Sequence, residues 1–112
     1  MTNFKGTREA FAAAMMDMAE EREDIVVISP DSLKAMRAVP FGEKYPDRYL
    51  ECGIAEQGAV DAAAGLASAG LTPFIGTYCG FLTMRACEQM RTFVGYTNLN
   101  VKFVGVNAGL LG

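Results

Sequence analysis

The sequence predicts an α/β fold in which a mainly parallel β-sheet is flanked by helices. Short apolar runs of strand length alternate with longer stretches of helical spacing, and this order is typical of parallel sheets. A chain of 112 residues with a charged fraction of 21% is long enough for one hydrophobic core of ordinary globular composition. We therefore expect at most one domain, over residues 1–112.

Four short segments are predicted to form the strands. Residues 25–28 are apolar at every position, as expected of a strand that is buried on both faces. Residues 48–52 form the second candidate and lead into Gly53, which permits a tight turn. Residues 72–78 and 101–106 complete the set, since proline is tolerated at the start of a strand. We expect right-handed crossovers between these strands.

Helical spacing of apolar residues predicts three long helices, over residues 7–21, 55–69 and 80–94. The first carries an apolar stripe, for which core packing is the simplest explanation. The second is rich in alanine and glycine, so it can lie close to its neighbours. Residues 33–48 can hold only a short helical piece, because two prolines interrupt a longer one.

The stretch 49–58 organises the rest of the chain. It is typical of a strand end, a turn at Gly53 and a helix start, with Glu56 in the first helical turn. Small and apolar neighbours leave little room for water around this carboxyl group. Burial favours the protonated form of a carboxyl group, whereas a helix N-terminus favours the charged form. Taken alone, the pattern also fits any helix that begins with a favourably placed glutamate.

Asp31 is a second candidate, in the loop 29–32 that follows the first predicted strand. Ligands of open α/β sheets collect at the carboxyl ends of the strands, which favours a site residue here. An ordinary turn residue is the alternative, because aspartate is common in turns.

Composition argues against several classes of function. A net charge of −3 argues against nucleic acid and anionic membranes as partners. The sequence has no histidine, which removes histidine-based triads and histidine-ligated metals, and we expect no metal site in this chain. The 3 cysteines lack metal spacing, and no signal peptide is recognisable, so we expect a cytoplasmic protein. No apolar run reaches the roughly 18 residues that span a bilayer.

The motif Gly-Ile-Ala-Glu-Gln at residues 53–57, followed by Ala-Ala-Ala-Gly-Leu-Ala at residues 62–67, resembles the pyrimidine-binding domain of transketolase-type thiamine diphosphate enzymes. Residues 73–81 match the strand and turn that carry the aromatic residues of this family. Residues 96–102 and 108–110 match the following segment, so the resemblance covers nearly all of the chain. It is closest to the separate second subunit of split transketolases. Deoxyxylulose phosphate synthase carries a Gly-Ile-Ala-Glu-Gln stretch as well.

The resemblance implies a role for each residue of the predicted site. Glu56 matches the glutamate that contacts the aminopyrimidine ring of thiamine diphosphate and shares a proton with a ring nitrogen. Tyr78 and Phe81 match the aromatic residues that pack on the pyrimidine face. Ile54, beside the motif glutamate, and Asp31, which matches a first-strand aspartate, complete the predicted cofactor contacts.

Arg85 matches an arginine of the split subunits whose role the resemblance does not give. Arg85 and Glu88 are spaced like neighbours on one helix face, so a plain surface ion pair is the alternative.

The implied activity is thiamine diphosphate-dependent transfer of a two-carbon ketol unit between sugar phosphates. The diphosphate and Mg²⁺ site of the family belongs to a different domain, whose Gly-Asp-Gly motif is missing here. We therefore expect a homodimer, a heteromer with a diphosphate-binding subunit, or both, and an inactive chain when it is alone. A deoxyxylulose phosphate synthase-like component, or a 2-oxo-acid dehydrogenase beta-type component, is the alternative enzyme.

The sequence departs from its family pattern near its end. Asn107 stands where relatives often carry a histidine, and no helix follows the last predicted strand. We therefore expect a pyrimidine-type fold that is incomplete at the C-terminus. An inactive, truncated assembly domain is the non-enzymatic alternative.

Overall fold

The computed structural model describes residues 6–110. The strands are β1 (Ile25–Ser29), β2 (Tyr49–Glu51), β3 (Thr72–Tyr78) and β4 (Lys102–Val106). They form a parallel sheet with the spatial order β2-β1-β3-β4. The predicted parallel sheet is confirmed, and each strand begins and ends within about a residue of its predicted limits.

Helices lie on both faces of this sheet, as the sequence predicted. The regular ones are α1 (Thr7–Glu21), α2 (Val39–Lys44) and α3 (Glu56–Ser68), with a 3₁₀ turn at Pro46–Arg48. None of the helices within residues 6–110 has the length and apolar character needed to cross a membrane.

The predicted long helix over residues 80–94 is helical in the structure, but it is not one continuous α-helix. The segment has π-helical turns at Phe81–Arg85 and Met90–Gly95 on either side of a short α-helical turn at Cys87–Gln89, and we call it the π-rich segment. Leu82 and Ala86 are buried in a cluster with residues of α3. We attribute the altered pitch to this packing, because wide π turns let buried side chains meet a neighbour that regular spacing would miss.

The central strand β1 contributes side chains to two separate hydrophobic clusters. Ile25 and Val27 belong to a cluster with Met15 of α1. Ile28 belongs to a cluster on the opposite face with Ala59 of α3. All of these side chains are buried, which explains why β1 is apolar at consecutive positions.

The strand order places a ligand-binding edge beside β1. The chain leaves β1 for β2 on one side and later enters β3 on the other side, and ligands of such sheets bind at the carboxyl ends beside this reversal. Asp31 follows the end of β1, the turn at residues 52–55 follows β2, and Phe81 follows β3. The candidate residues therefore lie at the same edge of the sheet.

Candidate functional site

Glu56 begins α3 and is almost completely buried, with 5% of its surface exposed. Gly53 adopts a φ of 66°, a left-handed conformation that glycine tolerates, and so turns the chain from β2 toward α3. Ala59 and Val60 are fully buried one turn further along. The start of α3 therefore packs against the sheet, and this packing buries Glu56 as well. The predicted burial of this carboxyl group is confirmed.

The Glu56 carboxylate has one engaged oxygen and one available oxygen. Nη1 of Arg85 donates a hydrogen bond to Oε1 at 3.2 Å. Within residues 6–110, no side chain or backbone group donates a hydrogen bond to Oε2. A buried carboxylate that keeps one acceptor uncommitted can accept a hydrogen bond from a ligand or share a proton with it.

Tyr78 and Phe81 form an aromatic corner at the end of β3. Their ring centroids are 5.6 Å apart and their planes are tilted by 53°. Phe81 is 40% exposed, whereas Tyr78 is half-buried. The Arg85 guanidinium lies over the Phe81 ring, 4.1 Å from its centroid, which links the aromatic corner to Glu56. Contact of these rings with a cofactor stays a prediction.

An open cleft of about 480 Å³ lies beside Glu56. Ile54, at the mouth of this cleft, is 75% exposed, which is unusual for so large an apolar side chain. The cleft thus combines apolar side chains, a buried carboxylate and a guanidinium. Its lining residues are Ile54, Ala55, Glu56, Gln57, Gly58 and Arg85.

Asp31 lies on the neighbouring loop rather than in the Glu56 cluster. It has a φ of 54°, and its backbone N–H donates to Oε1 of Glu51 at 2.7 Å. No hydrogen bond or ion pair joins the Asp31 carboxylate to Glu56 in the part of the chain that the structure describes. Its predicted role in binding a cofactor stays a prediction.

Glu51 is a residue that the sequence reasoning missed. Its Oε1 accepts hydrogen bonds from the backbone N–H of Asp31 and from that of Gly53 at 2.9 Å, and its Oε2 accepts one from the Tyr49 hydroxyl. This carboxylate therefore fastens the loop after β1 to the turn before α3. We call this arrangement the Glu51 bracket. A carboxylate two residues before a turn glycine is the sequence signal that could have indicated it.

The Glu51 bracket favours the charged form of its carboxylate. Burial raises the pKa of Glu51, but the hydrogen bonds from Tyr49, Asp31 and Gly53 outweigh burial, so the pKa lies below its usual value. Burial and the nearby Glu51 carboxylate raise the pKa of Tyr49 to about 12. The bracket is therefore fully charged and hydrogen-bonded at neutral pH.

Buried hydroxyl groups, also missed from the sequence, support the loop after β1. Oγ of Ser32 lies 2.7 Å from Oγ1 of Thr77 on β3, and the Ser32 N–H donates to Oγ of Ser29 at 2.7 Å. All three residues are buried. Their hydrogen bonds satisfy polar groups that would otherwise be costly to bury, and they hold the carboxyl ends of β1 and β3 together.

The alternative pairing of Arg85 with Glu88 is not found. Arg85 reaches across to Glu56 on α3, while Oε1 of Glu88 accepts a hydrogen bond from the Thr92 hydroxyl at 2.6 Å. The π-helical turn at Phe81–Arg85 changes which side chains share a face, so ordinary helix spacing no longer applies.

Within residues 6–110, no group of three or more His, Cys, Asp or Glu side chains comes together in a way that could hold a metal ion.

Comparisons with known proteins show which family the chain resembles. The profile of the family described as "Transketolase, pyrimidine binding domain" matches residues 5–112. The 1-deoxy-D-xylulose-5-phosphate synthase of Cutibacterium acnes is 42% identical over 104 residues, which are 93% of this chain and 16% of that protein. An apulose-4-phosphate transketolase subunit of Phocaeicola vulgatus is 33% identical over 108 residues, which are 96% of this chain and 35% of that protein.

A solved structure, described as "Split gene transketolase, inactive beta4 tetramer", superimposes on the same fold with a TM-score of 0.80. It is 37% identical to this chain, and the match covers 88% of this chain and 33% of that one. The chain thus spans about a third of the length of the split relatives and about a sixth of the synthase.

Proposed function

The chain belongs to the transketolase pyrimidine-binding domain family, and from this premise we propose that it supplies the pyrimidine-binding half of a thiamine diphosphate site. The observation that carries the proposal is the buried Glu56 carboxylate, which has one uncommitted oxygen beside an open cleft. When bound, thiamine diphosphate supplies the carbanion chemistry, and the protein supplies placement and electrostatics.

Each residue of the proposed site has a distinct task. Glu56 exchanges a proton with a pyrimidine nitrogen in a setting where little water competes. Phe81 and Tyr78 bury the flat ring and fix its orientation. Ile54 contributes apolar contact at the mouth of the cleft, and Asp31 lies at the neighbouring strand end, within the same ligand-binding edge.

The proposed reaction is transfer of a two-carbon ketol unit between sugar phosphates. The name of the Phocaeicola relative, a transketolase subunit acting on a phosphorylated sugar, supports this class of substrate. Because the chain spans about a third of such relatives, we assign the diphosphate-binding and Mg²⁺-binding groups to another subunit or domain.

Assembly is part of the proposal. The relative described as an inactive tetramer supports a subunit that associates with itself and needs a different partner for turnover. We propose that this chain forms homomers, binds a diphosphate-binding transketolase subunit, and is inactive alone. Its free cysteines, Cys52, Cys79 and Cys87, support a reducing, cytoplasmic location.

The test is reconstitution with a diphosphate-binding transketolase subunit. Thiamine diphosphate binding is measured by calorimetry, and ketol transfer is measured with ketose phosphate donors and aldose phosphate acceptors. Glu56→Gln is expected to lower kcat by about 100-fold or more, because an amide cannot exchange the proton. Glu43→Gln is the matched control, since Glu43 is exposed on α2 and its side chain makes no hydrogen bond within residues 6–110.

The outcome decides between the proposal and its alternatives. If Glu56→Gln turns over like the wild-type complex, the assignment of the proton-exchanging group is wrong. If the complex neither binds thiamine diphosphate nor transfers a ketol unit, the chain acts only in assembly.

A deoxyxylulose phosphate synthase-like component is the second candidate. The synthase of Cutibacterium acnes is 42% identical to this chain, against 33% for the transketolase subunit of Phocaeicola vulgatus. The same complex is therefore assayed with pyruvate as the donor, which also covers the 2-oxo-acid dehydrogenase beta-type alternative. Turnover with pyruvate and none with ketose phosphates would favour the second candidate.

A further inference from the structure

Arg85 is the side chain that touches both halves of the proposed site. Its Nη1 donates to Oε1 of Glu56 at 3.2 Å, and its guanidinium carbon lies 4.1 Å from the centroid of the Phe81 ring. The proposed function uses the carboxylate and the ring but assigns no task to the group that joins them.

The Arg85–Glu56 pair differs from an ordinary surface ion pair. Glu56 is 5% exposed, whereas the Arg85 side chain is 51% exposed. In the other three ion pairs within residues 6–110, both side chains are at least 34% exposed. A buried carboxylate without a partner is costly, so a cation placed against it has a larger effect than one at the surface.

The local backbone fixes the direction from which the guanidinium approaches. Leu82 lies within the π-helical turn and Ala86 follows it, and both are buried in the cluster that includes α3. This packing anchors the turn, and the Phe81 ring then restricts the plane of the guanidinium. A planar group that is held by a ring and directed at one oxygen leaves few orientations for the carboxylate.

We propose that Arg85 is the positioning residue for Glu56: it holds Oε1 and so directs Oε2 toward the pyrimidine nitrogen of the cofactor. This inference rests on the proposed function, because it concerns the same carboxyl group. The Arg85 guanidinium lines the same cleft, but the scheme gives it no hydrogen bond to substrate or cofactor. It acts through Glu56, and its contact with the Phe81 ring keeps the carboxylate aligned with the ring on which the pyrimidine is proposed to pack.

The first experiment tests the contact without any cofactor. In the isotopically labelled protein, the Nε–H resonance of Arg85 is identified by its loss in Arg85→Lys. We expect this resonance to move in Glu56→Gln and to stay unchanged in Glu43→Gln. If it does not respond to Glu56→Gln, the pair does not form in solution and the inference is wrong, while the proposed function is untouched.

The second experiment uses the reconstituted complex and the variants Arg85→Met, Arg85→Lys and Arg91→Met. Arg91 is the control, because it is exposed on the same segment and its guanidinium has no partner within the described residues. Arg85→Met is expected to lower kcat by about 10-fold or more, with the KM for the sugar phosphate within about twofold of wild type. The near-ultraviolet circular dichroism band of the bound pyrimidine should weaken in parallel.

Arg85→Lys should recover part of the lost kcat, because it restores the charge without the planar fork. A KM increase with unchanged kcat would identify a substrate-binding arginine instead and would overturn the proposal. A loss of thermal stability that accounts for the whole effect, with no recovery in Arg85→Lys, would also overturn it. If the wild-type complex binds no thiamine diphosphate, the proposed function fails and this inference fails with it.

Discussion

Two carboxylates on either side of the Gly53 turn serve opposite purposes. Glu51 lies at the exposed end of β2 and accepts three hydrogen bonds, two of them from backbone amides. Glu56 is buried at the start of α3, and among residues 6–110 its carboxylate accepts a single hydrogen bond, from Arg85. Both oxygens of the exposed group accept hydrogen bonds and one oxygen of the buried group does not, so the first can organise the backbone and the second remains available for chemistry.

The strongest test of this comparison is to substitute each carboxylate and to measure both turnover and stability. Glu56→Gln is expected to remove most of the turnover of the reconstituted complex, yet to change the free energy of unfolding by less than about 1 kcal/mol, because an amide oxygen still accepts from Arg85. Glu51→Ala is expected to lower the free energy of unfolding by about 1–2 kcal/mol, since water replaces its hydrogen bonds only in part.

Urea unfolding and steady-state kinetics on the same two variants check this prediction. Hydrogen exchange should also quicken at the amides of Asp31 and Gly53 in Glu51→Ala but not in Glu56→Gln. If Glu51→Ala proves as stable as wild type, the bracket contributes nothing. If Glu56→Gln is the less stable of the two variants, the structural role belongs to Glu56 rather than to Glu51, and the comparison is wrong.

A titration sharpens the same comparison. The pKa of Glu51 is lowered in the folded protein, since its hydrogen bonds outweigh the effect of burial. The stabilisation is therefore present above about pH 4.3, the usual value for glutamate in unfolded chains, and is lost as the pH falls through the lower folded value. The amide proton shifts of Asp31 and Gly53 should follow this transition.

Glu51→Gln should abolish the transition at both amides, and this is the measurement that decides. Because Asp31 carries a carboxyl group of its own and the Tyr49 hydroxyl also faces the bracket, the titration is repeated in Asp31→Asn and Tyr49→Phe. A midpoint that persists in Glu51→Gln and vanishes in Asp31→Asn would show that the Asp31 carboxyl group, and not Glu51, causes the transition.

The sequence was a good guide to elements whose limits depend on neighbouring residues. β3 begins and ends at the predicted residues, and a proline near its start marks it in the sequence. The contact between Arg85 and Glu56 could not be read in the same way, because it joins residues 29 positions apart on different elements. Regular helical spacing favoured Glu88 as the partner, and only the π-helical turn at Phe81–Arg85 excludes that choice.

The candidate site likewise combines residues that a local pattern indicates with contacts that only the folded chain creates. Glu56, Tyr78 and Phe81 could be proposed from a short motif and its spacing, and their mutual position follows from strand ends at the same edge of the sheet. The Glu51 bracket depends on two left-handed residues, Asp31 and Gly53, that present their amides to one oxygen. Such convergence of loops is a property of the folded backbone, and residue spacing does not encode it directly.

The smallest expected effect concerns the turn between the two carboxylates. A Cβ added at Gly53 would meet nothing within 4 Å, so Gly53→Ala tests the φ of 66° alone. We expect a loss of about 1 kcal/mol, or a Tm about 4 °C lower, because alanine is strained in the left-handed region.

Gly65→Ala is the matched control, since Gly65 lies inside α3 with equally open surroundings. It should instead gain about 0.5–1 kcal/mol from better helix propensity. Thermal unfolding that shifts both variants in the same direction would show that the turn is not held in the left-handed conformation, and the Glu51 bracket would then lose its geometric basis.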